Sequence, residues 1–518
     1  MNIVQNSLCI FFPLTLLYMY MFTRILNRSD MITCLLCHDA PCSKACPKLN
    51  PAALLRSIWF SNEKSAAYRL PPQNPCEDCD ASCEKSCIRD KSVPIQNLMN
   101  RLHKEVKPNL EIPCPENEER LKTQLCGIPL ENPFLLSSSV VGSTYDMCAR
   151  AFEAGWAGVS FKTICTIDIH EASPRFSAIK GDSGGIIGFK NIEQLSDHSV
   201  AENMAIFRKL KQNYPTKFIL ASIMGKNDDE WEELSRLCEE NGADAIELNF
   251  SCPNMADGEL GSAIGQVPEL VERFTKAARR GAKIPILAKL TPNVAQMSPA
   301  AEAAVRGGAD GIAAINTIKS IIGVNPDTYV SAPEVHGMSA VGGYSGNAVR
   351  PIALRFIAEL SKNPALSDKH ISGMGGIETW QDALEFILLG AGTVQVTTAV
   401  MQYGYRIIDD LKSGLNLYLA EKGFSSLEEV RGRAVNLVSE TTDVLERDTV
   451  AFPKFHREKC VGCGRCVISC ADGGHQALVL DEKRKPVMNG KKCVGCHLCI
   501  LVCPQQAISS SGKWLTKK

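Results

Sequence analysis

Sixteen of the 23 cysteines stand in four groups of four, and that spacing is the strongest chemical signal in the chain. Near the C-terminus, Cys460, Cys463, Cys466 and Cys470 follow the spacing C-x2-C-x2-C-x3-C, which Cys493, Cys496, Cys499 and Cys503 repeat before Pro504. In two-cluster ferredoxins the first three thiolates of such a run hold one iron–sulfur cluster and the fourth crosses to the other. The pattern therefore predicts one [4Fe-4S] cluster on Cys460, Cys463, Cys466 and Cys503, and a second on Cys493, Cys496, Cys499 and Cys470. Near the N-terminus stand Cys34, Cys37, Cys42 and Cys46, then Cys76, Cys79, Cys83 and Cys87. Eight thiols suffice for two further [4Fe-4S] clusters or for two zinc ions, and their spacing decides neither the metal nor the pairing.

A different chemistry centres on a cysteine with no cysteine near it. Ala245-Ile246-Glu247-Leu248-Asn249-Phe250 reads as a buried strand that Ser251-Cys252-Pro253-Asn254 ends in a turn. Asn249, Ser251 and Cys252 then converge at one strand end, where a thiol beside an amide and a hydroxyl is a candidate proton donor or nucleophile. The plainer reading of Cys252 is a small buried hydrophobe.

Such residues need a scaffold that gathers strand ends. Residues 121–445 alternate short apolar runs with amphipathic helices, and eight runs read as strands: Phe134–Ser139, Gly158–Thr163, Phe218–Gly225, Ala245–Cys252, Ile284–Pro292, Gly311–Thr317, His370–Gly376 and Thr393–Ala399. With helices such as Asn227–Asn241, Pro268–Arg280 and Thr379–Leu389 between them, the pattern predicts an α/β fold, a parallel (β/α)8 TIM barrel with its site at the C-terminal strand ends. Those ends bring together Ser138, Ser139, Lys162, Thr163, Asn249, Cys252, Lys289, Asn316, Thr317, Gly375, Gly376, Thr397 and Thr398. Two lysines inside apolar strands are costly without an anion, so a bound phosphate or an electron-rich ring is expected to meet them. Glycines at 373, 375 and 376, the turn before Gln395, and the run Gly342-Gly343-Tyr344-Ser345-Gly346 suggest a rim that holds a phosphorylated cofactor on backbone amides. Such a cofactor beside iron–sulfur clusters must pass between one- and two-electron chemistry, as flavin does. No complete G-x-G-x-x-G marks a dinucleotide domain.

The expected organisation is an apolar segment at 1–30, an N-terminal helical iron–sulfur domain at 31–106 with helical character from Ala52 to Tyr68, a linker at 107–120, the barrel at 121–445 and a ferredoxin-like domain at 446–518. Leu8 to Phe22 is shorter than the ~20 residues of a membrane span. It reads as an upstream-start artefact before Met31, a weak membrane-associating segment, or a signal that lacks its positive charge and cleavage site. A net charge of −1 gives no electrostatic case for nucleic acid. Scattered cysteines in a large chain argue for a reducing compartment, the cytoplasm.

Residues 121–518 resemble the pyrimidine-reducing subunit of bacterial NAD-dependent dihydropyrimidine dehydrogenases, in stretches such as ASIMG, NFSCPN, AKLTPN, SGMGGIETW and VTTAVMQYGYR. Class 1 dihydroorotate dehydrogenases share the SCPN element. Residues 34 to about 103 are similar to the cluster domain that in that family precedes FAD and NAD(P)H modules, which this sequence lacks. The resemblance implies that Cys252 protonates carbon 5 of uracil or thymine while FMN delivers hydride to carbon 6. It implies that Asn191, Asn249, Ser251, Asn316 and Thr317 bind the pyrimidine, and that Ser138, Ser139, Lys162, Lys289, Gly346, Gly375, Gly376 and Thr397 bind FMN. The loop Met255–Gly265 would carry Cys252 over the substrate. Electrons would come through the clusters from an FAD/NAD(P)H-binding donor subunit or another reductant, in a homo- or hetero-oligomer. Dihydroorotate oxidation and a non-catalytic electron-transfer module are the competing readings.

Overall fold

The computed structural model describes residues 33–106, 118–181, 185–255 and 260–516. The expectations for the apolar segment 1–30, for linker residues 107–117 and for residues 256–259 of the Cys252 loop fall outside these.

Eight strands close into the expected parallel barrel. They are β1 (Phe134–Leu136), β2 (Gly158–Ser160), β3 (Phe218–Ile223), β4 (Ala245–Asn249), β5 (Ile286–Lys289), β6 (Gly311–Ala314), β7 (His370–Met374) and β8 (Thr393–Val396). Neighbours follow chain order, and Val394 opposite Phe134 closes the ring. Because side chains of a barrel strand face either the packed interior or the helices, the strands are apolar throughout; all six residues of β3 are buried. Each strand ends two or three residues before its predicted end, because polar residues there take backbone groups out of the ladder. At β4, Asn249 Oδ1 accepts from the Ser251 N–H, which turns the chain before Cys252.

Some of the helices start where a short polar side chain caps them, and others at a proline in the first turn. Asn227 accepts from the Glu230 N–H ahead of the helix Asp228–Glu240, and Thr379 forms a capping box with Asp382 ahead of Trp380–Leu388. A four-stranded antiparallel sheet leaves the barrel, in the order Ile318–Ser320, Gly342–Ser345, Ile186–Asn191, Phe176–Lys180. Gly342 to Ser345 is thus a strand rather than a phosphate-binding turn. Its glycines answer close backbone approach, since a Cβ at Gly343 would strike the Thr317 hydroxyl.

The described residues from 33 to 438 make one compact unit, so the N-terminal helices pack on the barrel. The helical run expected from Ala52 to Tyr68 is two helices, Pro51–Trp59 and Glu63–Tyr68. The break is a docking point: Ser61 has φ 58, and its carbonyl accepts from Trp380 Nε1 at 3.1 Å and Gln381 Nε2 at 2.8 Å. Arg56 adds ion pairs to Asp410 at 2.8 Å and Asp409 at 2.9 Å. The C-terminal residues from Ser439 belong to a second compact unit. There Thr449–Phe455 pairs antiparallel with Ile508–Thr516, and Leu478–Leu480 with Pro486–Met488. Among the described residues, no helix is long and apolar enough to cross a membrane.

Candidate active site

At the C-terminal ends of the strands the barrel opens into a cavity of about 1110 Å³, counting its open mouth. Ser138, Ser139, Lys162, Asn191, Asn249, Cys252, Lys289, Asn316, Thr317, Gly346, Gly375, Gly376 and Thr397 all line it. Ser251 does not; it is fully buried behind the wall. Its hydroxyl donates to Asn249 Oδ1 at 2.8 Å and accepts from Asn316 Nδ2 at 2.8 Å, so it sets the orientation of two lining amides. Asn249 Nδ2 in turn donates to Thr163 Oγ1 at 2.8 Å.

Cys252 is 7% exposed on this cavity. Burial pushes its thiol up to about 11, with the Glu171 carboxylate adding to the shift while the Asn254 backbone N–H and Lys289 oppose it. The thiol therefore holds its proton throughout the neutral range. Cys148, Cys165 and Cys238, also buried, fill the hydrophobic core; for these the packing reading holds.

The two lysines do not wait for a ligand, contrary to the expectation. Lys162 pairs with Glu193 at 2.8 Å and with Glu171 at 3.6 Å, and Lys289 with Glu247 at 3.1 Å. Glu247 lies on β4 and Lys289 on the adjacent β5, both buried, so the protein supplies the counter-charge that burial demands. Sequence reasoning passed over Glu193, Asn254 and Gln395, which also line the cavity. Asn254 donates to Asn191 Oδ1 at 3.1 Å and to the Glu193 carbonyl at 2.6 Å, while its buried Oδ1 has no partner. The Asn–x–Ser–Cys–Pro–Asn run was the signal that could have found it. Gln395 lies within β8, with its side chain at the cavity, so the turn before it is at the wrong end of the strand for the rim.

Glycines and hydroxyls form a small cradle at the rim. Gly375 and Gly376 have φ +125 and +82, and a Cβ at Gly376 would meet the Gly346 carbonyl and the Arg350 backbone. Ser139 and Thr397 face each other with hydroxyls 3.2 Å apart, and Ser345 and Thr398 at 3.0 Å. Backbone without side chains, flanked by hydroxyl donors, is the surface a phosphate needs.

The cysteine groups form four further cavities. Cys460, Cys463, Cys466 and Cys503 line one, and Cys470, Cys493, Cys496 and Cys499 another, which is the crossed arrangement the spacing predicts. In the N-terminal helices, Cys34, Cys37, Cys42 and Cys87 share one cavity, and Cys46, Cys76, Cys79 and Cys83 the other, so the last cysteine of each group crosses here too. Among the described residues no three ligands converge on a point as they do around a single ion. Thiols standing around a cavity suit a cluster of several atoms. Backbone amides of Gly462, Ala477 and Ala507 donate to the sulfurs of Cys460, Cys470 and Cys503 at 3.2–3.4 Å, as cluster ligation favours.

Barrel, cavity and lone thiol together define a class. The family model for dihydroorotate dehydrogenase matches residues 120–419, and a 4Fe-4S dicluster domain matches residues 454–510. The chain belongs to the dihydroorotate dehydrogenase family and is an oxidoreductase with a C-terminal ferredoxin-type domain. Within that class it is 54% identical, over 70% of its length and 89% of the relative's, to the NAD-dependent dihydropyrimidine dehydrogenase subunit PreA of Escherichia coli K12. It is 38% identical to the chloroplastic dihydropyrimidine dehydrogenase (NADP(+)) of Arabidopsis thaliana, over 66% of this chain and 84% of that one. A dihydroorotate dehydrogenase B catalytic subunit from Pyrococcus furiosus is 38% identical over 61% of this chain and 98% of its own.

Proposed function

We propose that this enzyme reduces uracil or thymine to the 5,6-dihydropyrimidine, reversibly, with FMN in the barrel and electrons delivered through [4Fe-4S] clusters. The observation that carries the reading is a protonated thiol at a strand end, facing a cavity with amides on one side and a glycine–hydroxyl cradle on the other. Asn191, Asn249, Asn316 and Thr317 bind the pyrimidine, because a planar imide offers alternating donors and acceptors that carboxamides match in pairs. Ser251 holds two of these amides in place. FMN, when bound, supplies hydride to one carbon of the 5,6 double bond and takes electrons singly from iron–sulfur. Ser138, Ser139, Gly346, Gly375, Gly376 and Thr397 would hold it, with Lys162 and Lys289 among the residues that would bind it. Cys252 gives its proton to carbon 5, so one hydride and one proton complete the reduction.

Two clusters lie in the C-terminal domain and two in the N-terminal helices, paired as their cavities group the cysteines. A partner subunit that oxidises NAD(P)H through FAD supplies the electrons in the cytoplasm; the word subunit in the name of the bacterial relative supports a partner. Against dihydroorotate as substrate stands the pairing of both cavity lysines with carboxylates, which leaves neither with an unneutralised charge for the substrate's carboxylate. Anaerobic purification, a count of iron and flavin, and turnover of uracil, thymine and dihydroorotate with a flavoprotein donor test the proposal. Preference for dihydroorotate, or a preparation without flavin, overturns it. In Cys463→Ser, electron supply from the donor falls while chemically reduced enzyme still reduces uracil.

A further inference from the structure

Beneath the rim, one fully buried carboxylate fixes two side chains that the mechanism above leaves half used. Glu247 Oε1 accepts from Lys289 Nζ at 3.1 Å and from the Ser160 hydroxyl at 3.0 Å. Its other oxygen accepts from Gln395 Nε2 at 3.2 Å, and the same Nε2 also donates to Ser372 Oγ at 3.1 Å. An ionised carboxylate offers acceptors only, so the amide of Gln395 has one permitted orientation: its NH2 toward Glu247 and its oxygen away. That oxygen, Gln395 Oε1, is buried and has no hydrogen-bond partner. The residue is 1% exposed and lines the cavity floor beside Lys289. A buried acceptor next to a cation is a demand for a ligand edge that presents a donor beside an acceptor.

We propose that Gln395 Oε1 reads the N3–H of the isoalloxazine ring while Lys289 meets an adjacent carbonyl oxygen, with Glu247 as the positioning residue that holds both. This rests on the reading of the cavity as a flavin site. Uracil carries the same imide edge. Depth assigns the pair to the flavin, because Gln395 lies within β8 and Lys289 is the last residue of β5, whereas Asn316 and Thr317 follow the end of β6 and Asn191 stands on the added antiparallel sheet outside the barrel. The site consequently selects a ring with an N–H between two carbonyls. A ring without that donor leaves the amide oxygen unpaired in a place water does not easily serve.

The test compares FMN with 3-methyl-FMN, in which a methyl group replaces the N3 proton, binding to the deflavinated full chain, followed by flavin absorbance and fluorescence. The expected result is 3-methyl-FMN binding about tenfold or more weakly than FMN, the cost of an unpaired buried acceptor. In Gln395→Ala, which removes the acceptor and leaves room for the methyl group, the two flavins bind alike, and Glu247→Gln, which lets the amide turn over, narrows the difference. Equal affinity of the two flavins for the unaltered chain overturns the assignment while leaving the flavin site standing. A difference that persists undiminished in Gln395→Ala also overturns it. The substrate arm repeats the comparison with uracil and 3-methyluracil on the FMN-loaded chain: a difference there that vanishes in Gln395→Ala gives the amide to the substrate instead. If the unaltered chain binds no FMN, the flavin reading falls with it.

Discussion

The Lys289–Glu247 pair allows a prediction with its magnitude worked from geometry. The two groups meet at 3.1 Å with side chains 3% and 0% exposed. At an effective dielectric constant of about 20 their attraction is about 5 kcal/mol, most of which offsets the cost of taking both charges from water. Removing one partner strands the other, so Lys289→Met or Glu247→Gln alone costs about 3–5 kcal/mol. Replacing both removes two desolvation costs along with the attraction, so the double variant is far more stable than the sum of the singles predicts. At about 2.1 cal/mol/K of unfolding entropy per residue, a barrel of roughly 300 residues loses about 1.6 °C per kcal/mol, hence about 5–8 °C for each single replacement. Scanning calorimetry of the anaerobically purified, deflavinated chain reads the barrel transition. Additivity of the two costs to within about 0.5 kcal/mol would refute the pairing, since independent sites add to that tolerance.

Four more outcomes follow from the same geometry. Cys252→Ala keeps flavin and iron but loses about 10²–10⁴ in uracil reduction, the usual worth of a positioned acid; turnover as in the unaltered enzyme sinks the assignment. With its thiol pushed up to about 11, Cys252 also alkylates slowly with iodoacetamide at pH 8, where only about 0.1% would be thiolate, and a rate like that of an ordinary cysteine contradicts the burial effect. Cys87→Ser and Cys37→Ser abolish the same cluster signal in electron paramagnetic resonance, and Cys79→Ser a different one; if Cys79 and Cys87 share a signal, the crossed N-terminal pairing is wrong. Burial pushes the His370 imidazole, which lies 2.9 Å from Thr393 Oγ1, down to about 3. The unfolded chain takes up a proton below about 6.5 and the folded one does not, so stability present above 6.5 is lost as pH falls toward 3, by about 2 kcal/mol at pH 5. Thermal unfolding between pH 7 and 5 should lose most of this dependence in His370→Gln.

Local information carried much of the chain's meaning. Strand and helix periods repeat eight times between residues 121 and 445, and a barrel is the arrangement that buries such repeats, so the fold and the end of the barrel bearing the site were legible without coordinates. The C-terminal cysteine spacing foretold which cysteines share a cavity, because three of the four in each set are neighbours in the chain. The place of Cys252 at a strand end on the cavity was legible because its strand and turn are contiguous. What the sequence left open depends on contacts between distant segments. The partners of Lys162 and Lys289 lie 31 and 42 residues away, so their charges looked unpaid for when read along the chain. Ser251 belonged by spacing with the binding residues, but its direction is set by Asn316, 65 residues on. The grouping of the N-terminal cysteines around two cavities depends on how their helices fold on one another, and the break at Ser61 on their docking to the barrel. Periodicity and ligand spacing act within a few residues and can be read from the chain, whereas the neutralisation of a buried charge and the direction of an amide are decided by whatever the fold brings alongside.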